Sequence, residues 1–184
     1  SSDGRRFLDC YNNVPHVGHC HPYVTEAIAR QARTLNTNTR YLHDTIIDYA
    51  ERLGSYFPKP LSVVFMVCSG SEANDLALMM ARLSTGNFDL IALRNAYHGG
   101  NASGMGVTAH SNWKFNVPHS FGVHHAVAPY PYRGHFGYDG PEAGRKYADD
   151  VKNLIDYATP GKVAGFIAES IQGVGGSVVF PDGY

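Results

Sequence analysis

Lysine is scarce in this chain: of fifteen basic residues only Lys59, Lys114, Lys146, Lys152 and Lys162 are lysines. Charge of one sign is missing as well. Fifteen basic against sixteen acidic residues leave a net charge of -1, so the surplus of cations that holds a protein to phosphate backbones is absent and a nucleic-acid partner is excluded. No apolar run approaches the ~20 residues of a membrane helix, which removes a membrane partner. The opening residues, Ser1 to Arg6, begin without Met and hold no apolar stretch of the kind a secretory leader carries. Three cysteines, Cys10, Cys20 and Cys68, are too few and too scattered for a disulfide framework. A reducing setting is expected, and the cytoplasm suits it. What is present is ordinary for a globular chain: 184 residues, 43% hydrophobic and 17% charged, enough for one domain and too apolar for general disorder.

Arg6 to Cys10 alternates weakly and predicts a short strand. A loop rich in Gly, His and Pro follows, and Pro22 suits the first turn of a helix. Val24, Ala27, Ile28, Ala32 and Leu35 recur at helical spacing over 23–35. Ile46 to Leu53 predicts a second helix that starts near Thr45 and stops near Gly54. Leu61 to Val67 is an almost continuous, β-branched apolar run, the pattern of a parallel strand buried on both faces. A helix over 70–84, stopped near Gly86, comes next. Strands at Asp89–Leu93, His124–Ala128 and Val163–Ala168 and a helix over 141–157 complete an alternation that predicts an α/β fold with a mainly parallel sheet. The stretch 110–140, dense in aromatic residues, Gly, Pro and His, predicts an ordered excursion rather than a linker.

Four segments carry chemistry. In Cys68-Ser69-Gly70-Ser71-Glu72, a strand turns into a helix with the Ser-x-x-Glu spacing of a capping box. Gly70 admits close backbone approach, and a helix N-terminus at a strand's C-terminal end suits an anion. An ordinary N-cap would have the same pattern. The segment is neither a Walker A loop nor a nucleophile elbow. Ala96-Tyr97-His98-Gly99 follows a strand and puts a ring and an imidazole at the sheet edge where α/β folds bind ligands; packing would use the same pair. Glu169 ends the last strand, where a carboxylate needs a partner, and Gly173, Gly175 and Gly176 follow it. His16, His19, Cys20 and His21 cluster, but without the second distant pair of a zinc site, so no metal is expected. Asn101-Ala102-Ser103 matches a glycosylation acceptor pattern, discounted because nothing points to secretion.

In their order, Gly18-His19-Cys20-His21-Pro22, Ser69-Gly70-Ser71-Glu72-Ala73-Asn74, Ala96-Tyr97-His98-Gly99 and Ala168-Glu169-Ser170-Ile171-Gln172-Gly173 give the chain its resemblance to class III (subgroup II) pyridoxal-phosphate aminotransferases, over essentially its whole length. Asp9 to Val14 and Leu35 to His43 look most like the phospho-lyase branch that acts on ethanolamine phosphate and hydroxylysine phosphate. Leu93 to Tyr97 and Asn112 to Asn116 look more like the alanine–glyoxylate aminotransferase 2 branch.

The resemblance implies the fold type I transferase fold, with residues 1–57 as an N-terminal segment and 58–184 as the first half of a cofactor-binding large domain. It implies pyridoxal 5'-phosphate as cofactor, a small-molecule amino donor, an oxo-acid acceptor and a homodimer. Gly70 and Ser71, with Ser69 close by, would hold the phosphate. Tyr97 would stack on the pyridine ring, with His98 beside it and Glu169 near the ring in a supporting catalytic role. Asn13, Arg40 and Tyr41 would approach the substrate. The family's Schiff-base lysine and ring-nitrogen aspartate come later in sequence than the Glu169 motif, and none of the five lysines has that lysine's setting. The expectation is therefore an incomplete, by itself inactive portion of a transaminase. A phospho-lyase, with Arg40 facing a substrate phosphate, and a non-catalytic remnant or binding module remain open. The family topology further implies that Leu61–Val67 does not pair directly with Val163–Ala168.

Overall fold

The computed structural model describes residues 2–8, 10–11, 13–137 and 140–184. They form two compact units, Ser1–Val64 and Phe65–Tyr184. The first holds α1 (Pro22–Thr34) and α2 (Asp44–Gly54). Pro22 opens α1, as expected. At α2 the start differs from the expected Thr45: His43 is the N-cap, and its side chain accepts the Thr45 N–H at Nδ1, 3.2 Å away. Neither helix has a buried residue, so their apolar stripes, Ile28 and Ile46 among them, remain open to solvent. Arg6–Leu8 and Cys10 form no strand; Asp9 of that expected strand, and Asn12 beyond it, lie outside the described residues.

The second unit carries α3 (Gly70–Thr85), β1 (Leu90–Leu93), α4 (Ala102–Val107), a 3-10 turn at Ser111–Trp113, β2 (Val123–Ala126), α5 (Glu142–Ala158), β3 (Gly165–Ile167) and a hairpin of β4 (Ile171–Gln172) and β5 (Val178–Val179). The sheet order is β2-β1-β3, all parallel. Leu90 pairs with Val123 on one side and Gly165 on the other. β1 is buried along its length, which explains its unbroken apolar sequence. Its alternate side chains feed two cores. Leu90 and Ala92 meet Leu78 of α3, Val107 of α4 and Ala164. Ile91 and Leu93 join Ala96 and Ala126 in a cluster covered by Val151, Leu154 and Ile155 of α5. Helices on both faces of a parallel sheet are the expected α/β architecture. Gly86 caps α3 in the left-handed region at φ 67. In the excursion 110–140, Tyr138 and Asp139 lie outside the described residues.

One expected strand does not form. Leu61–Val67 has no ladder partner among the described residues, and Val63 is 78% exposed. β-branched composition sets a preference only; a strand exists when a partner supplies the other half of each hydrogen bond. The remaining strands shift at their ends. β2 starts one residue early, at Val123, and β3 is trimmed to three residues.

Candidate functional site

The site lies where the C-terminal ends of β1 and β3 meet the N-terminus of α3. Ser69 caps α3: its Oγ accepts the Glu72 N–H at 3.2 Å. The Glu72 carboxylate reaches back to the N–H of Cys68 at 2.7 Å, one residue beyond the usual reciprocal partner. The amides of Gly70 and Ser71, in the first turn, have no acceptor within the helix and point its positive dipole end outward.

The loop after β1 closes on this turn. Gly100 donates its N–H to Ser71 Oγ at 3.1 Å, and the Asn101 amide donates to the Ser71 carbonyl at 3.1 Å. The first bond uses a lone pair of the Ser71 hydroxyl and leaves its proton. Asn74 Nδ2 donates to the His98 carbonyl at 2.8 Å, and the His98 N–H donates to Thr108 Oγ1 at 2.9 Å. A Cβ on Gly70 would meet no protein atom within 4 Å, which leaves room there for a bound group; a second close approach lies within the protein, at Gly99, where at φ +125 a Cβ would lie 2.6 Å from Ser71 Oγ.

Tyr97, half-buried, packs its ring against Trp113 at 5.1 Å between centroids, tilted by 55°. Glu169 Oε1 accepts the Tyr97 N–H at 2.9 Å, and its Oε2 accepts the Gly173 N–H at 3.0 Å. Gln172, fully buried, donates from Nε2 to the Arg94 carbonyl at 2.8 Å. Of the glycines after Glu169, only Gly175 is tightly enclosed, its Cβ position 2.6 Å from the Asn95 carbonyl oxygen. His98 Nε2 and Gln172 Oε1 are buried and have no hydrogen-bond partner among the described residues. Ser69, Gly70, Ser71, Tyr97, His98 and Glu169 thus share one unit and one sheet edge.

Asn13, Arg40 and Tyr41 belong to the first unit. There Arg40 donates from N and Nε to Asn38 Oδ1, each at 3.1 Å, a local turn contact, and Asn13 sits at φ 76. Asn74, Asn101, Thr108 and Trp113 escaped sequence reading as site residues. Asn101 had a readable signal: it stands where an N-cap belongs, and its Oδ1 accepts the Gly104 N–H at 2.8 Å. Its amide is thereby engaged on both sides. In the His/Cys cluster, Cys20 Sγ lies 3.1 Å from His19 Nε2; among the described residues no three metal-ligating side chains come together.

Burial lowers the pKa of His98, opposed in part by Glu169. Burial first, then Lys114 and Arg94, lowers that of His125. The unfolded chain takes up these protons near the ordinary imidazole value of about 6.5, while the folded chain resists until lower pH. Stability is therefore full above that value and declines as pH falls below it. Thermal melts across this interval should show a falling Tm, and His98→Gln should flatten the decline.

A helix N-terminus set at the C-terminal edge of a parallel sheet, with the loop after β1 bonded to its first turn, is a geometry that suits an anion in α/β proteins. The chain's family is specific. The profile of aminotransferase class III matches residues 1–184, and the chain belongs to that family. It is 52% identical over 184 residues to alanine–glyoxylate aminotransferase 2 homolog 2, mitochondrial, of Arabidopsis thaliana, covering 98% of this chain and 38% of that protein. Among solved structures, a phospholyase from Arthrobacter in complex with phosphoethanolamine superposes with TM-score 0.79 at 36% identity, over 97% of this chain and 42% of that one. An amine transaminase from an uncultivated Pseudomonas species in a PLP-bound form matches with TM-score 0.78 at 28% identity, over 90% of this chain and 40% of that one. The chain spans about two fifths of the length of these relatives. No helix among the described residues is long and apolar enough to cross a membrane.

Proposed function

We propose that the second unit is the first part of the cofactor domain of a pyridoxal-phosphate transaminase. The enzyme would move an amino group from an amino acid or amine to an oxo acid such as glyoxylate or pyruvate, working as a homodimer. The observation that carries this reading is the Ser71–Gly99–Gly100 junction at the head of α3. A hydroxyl with its proton left over, two first-turn amides and a glycine with no room for a Cβ suit a phosphate group. Ser71 and the Gly70 and Ser71 amides would hold the phosphate, and Tyr97 would stack on the ring and shield it from water. His98 ties the ring loop to Asn74 and Thr108. When bound, pyridoxal phosphate supplies a ring that takes up the electron pair released as the substrate's α-proton leaves. Lys152 is engaged with Asp156 on the surface of α5, and Lys59 and Lys162 are exposed. We infer that none of these three lysines supplies the amine that carries the cofactor. Three exposed free cysteines suit a reducing compartment, cytoplasm and mitochondrial matrix alike.

The test is a cofactor titration of the full protein. Ser71→Ala should weaken pyridoxal phosphate binding about tenfold, ~1.4 kcal/mol, and leave binding of phosphate-free pyridoxal nearly unchanged. Equal losses for both ligands, or none for either, would refute the cradle. A phospho-lyase is the second reading, favoured by the match to the phosphoethanolamine-bound structure. Here Arg40 would face the substrate phosphate and Asn13 and Tyr41 would line its approach. Phosphate release from phosphorylated amino alcohols, without consumption of oxo acid, selects it over transfer.

A further inference from the structure

We propose that Glu169 is a positioning residue that fixes the Tyr97 ring through the Tyr97 backbone, rather than a group that itself meets the cofactor or substrate. Glu169 stands two residues past β3 and Tyr97 four residues past β1, and these strands are neighbours in the sheet. The carboxylate therefore spans the ends of two adjacent strands. One oxygen takes the Tyr97 N–H at 2.9 Å and the other the Gly173 N–H at 3.0 Å. Hydrogen bonds to a carboxylate are the stronger kind, and two of them aimed at different segments fix both in one geometry.

A second tie joins the same segments. Gln172 Nε2 donates to the Arg94 carbonyl, and Gly175 presses on the Asn95 carbonyl oxygen, where any side chain would collide. Residues 169–175 thus brace the backbone of residues 94–97. Trp113 meets the Tyr97 ring itself at 5.1 Å. The Tyr97 side chain is held at its root by Glu169 and at its ring by Trp113, which leaves the χ angles little freedom. The inference rests on Tyr97 as the residue that covers the cofactor ring.

The test uses the full protein and two readouts. Without cofactor, amide hydrogen exchange at Tyr97 and Gly173 should accelerate at least tenfold in Glu169→Ala, which offers neither N–H an acceptor. With cofactor, Glu169→Gln should weaken pyridoxal phosphate binding about tenfold in the native background and less than twofold in a Tyr97→Ala background, since a residue acting through Tyr97 has nothing left to position there. Unchanged exchange at Tyr97, or the same tenfold loss in both backgrounds, would overturn the proposal. If Tyr97→Ala leaves cofactor affinity untouched while Glu169→Ala still frees the Tyr97 amide, the clamp stands and the ring-covering role of Tyr97 fails.

Discussion

Gly99→Ala is expected to destabilise the second unit by about 3 kcal/mol and to abolish measurable binding of pyridoxal phosphate. Two independent penalties meet at this position. The backbone has φ +125, which L-residues rarely adopt, and the added methyl would lie 2.6 Å from Ser71 Oγ and 3.1 Å from Ser71 Cα. Ser71 cannot yield without losing the Gly100 N–H and the Asn101 amide that bind it. The collision therefore falls on the residue proposed above to hold the phosphate. Gly100→Ala is the matched control: a Cβ there meets nothing within 4 Å, so stability and affinity should change little. Urea melts and a cofactor titration on both variants decide the matter. Equal behaviour of the two would mean that the junction is loose and that Gly99 has no special part in it.

Tyr147→Ala should cost about 4 kcal/mol, the loss of a large fully buried aromatic side chain, and Tyr147→Phe about 1–2 kcal/mol. The ring sits in the first half of α5, fully buried, and meets Phe136 edge-on at 4.8 Å. Its hydroxyl donates to the Tyr130 carbonyl and accepts the Phe136 N–H, both at 3.1 Å. This single side chain fastens the excursion after β2 to the helix that covers the sheet. The phenylalanine variant keeps the packing and leaves two backbone groups without their partner, so the difference between the variants isolates the packing. A fall in stability with unchanged affinity for pyridoxal phosphate is the expected pattern, because Tyr147 makes no contact with the Ser71 junction.

Local signals were legible where their physics is local. Pro22 at a first turn, Ser69 as an N-cap and Gly86 as a left-handed stop act within one helical turn, and all three stand where sequence spacing puts them. Ile91 and Leu93 alternate with Leu90 and Ala92 between two cores, a consequence of the two-residue period of a strand. Leu61–Val67 shows the limit. Its composition is that of a buried strand, yet no other strand supplies its hydrogen bonds among the described residues. Glu169 shows another. A carboxylate at a strand end announces that it needs a partner, but the partner is the Tyr97 amide, 72 residues away. No spacing rule reaches that far.

The sequence by itself determined the longer helices, the three strands of the parallel sheet with their α/β alternation, and a helix N-terminus suited to an anion, because capping and periodicity are written in neighbouring residues. Only the tertiary structure decided that Gly99 stands against Ser71, that Asn101 and Asn74 tie the loop to α3, and that Glu169 grips Tyr97 through its backbone. Those contacts join segments about 24 to 72 residues apart. They arise when parallel strands bring the ends of distant segments to one edge of the sheet, a proximity that strand register creates and local sequence does not encode.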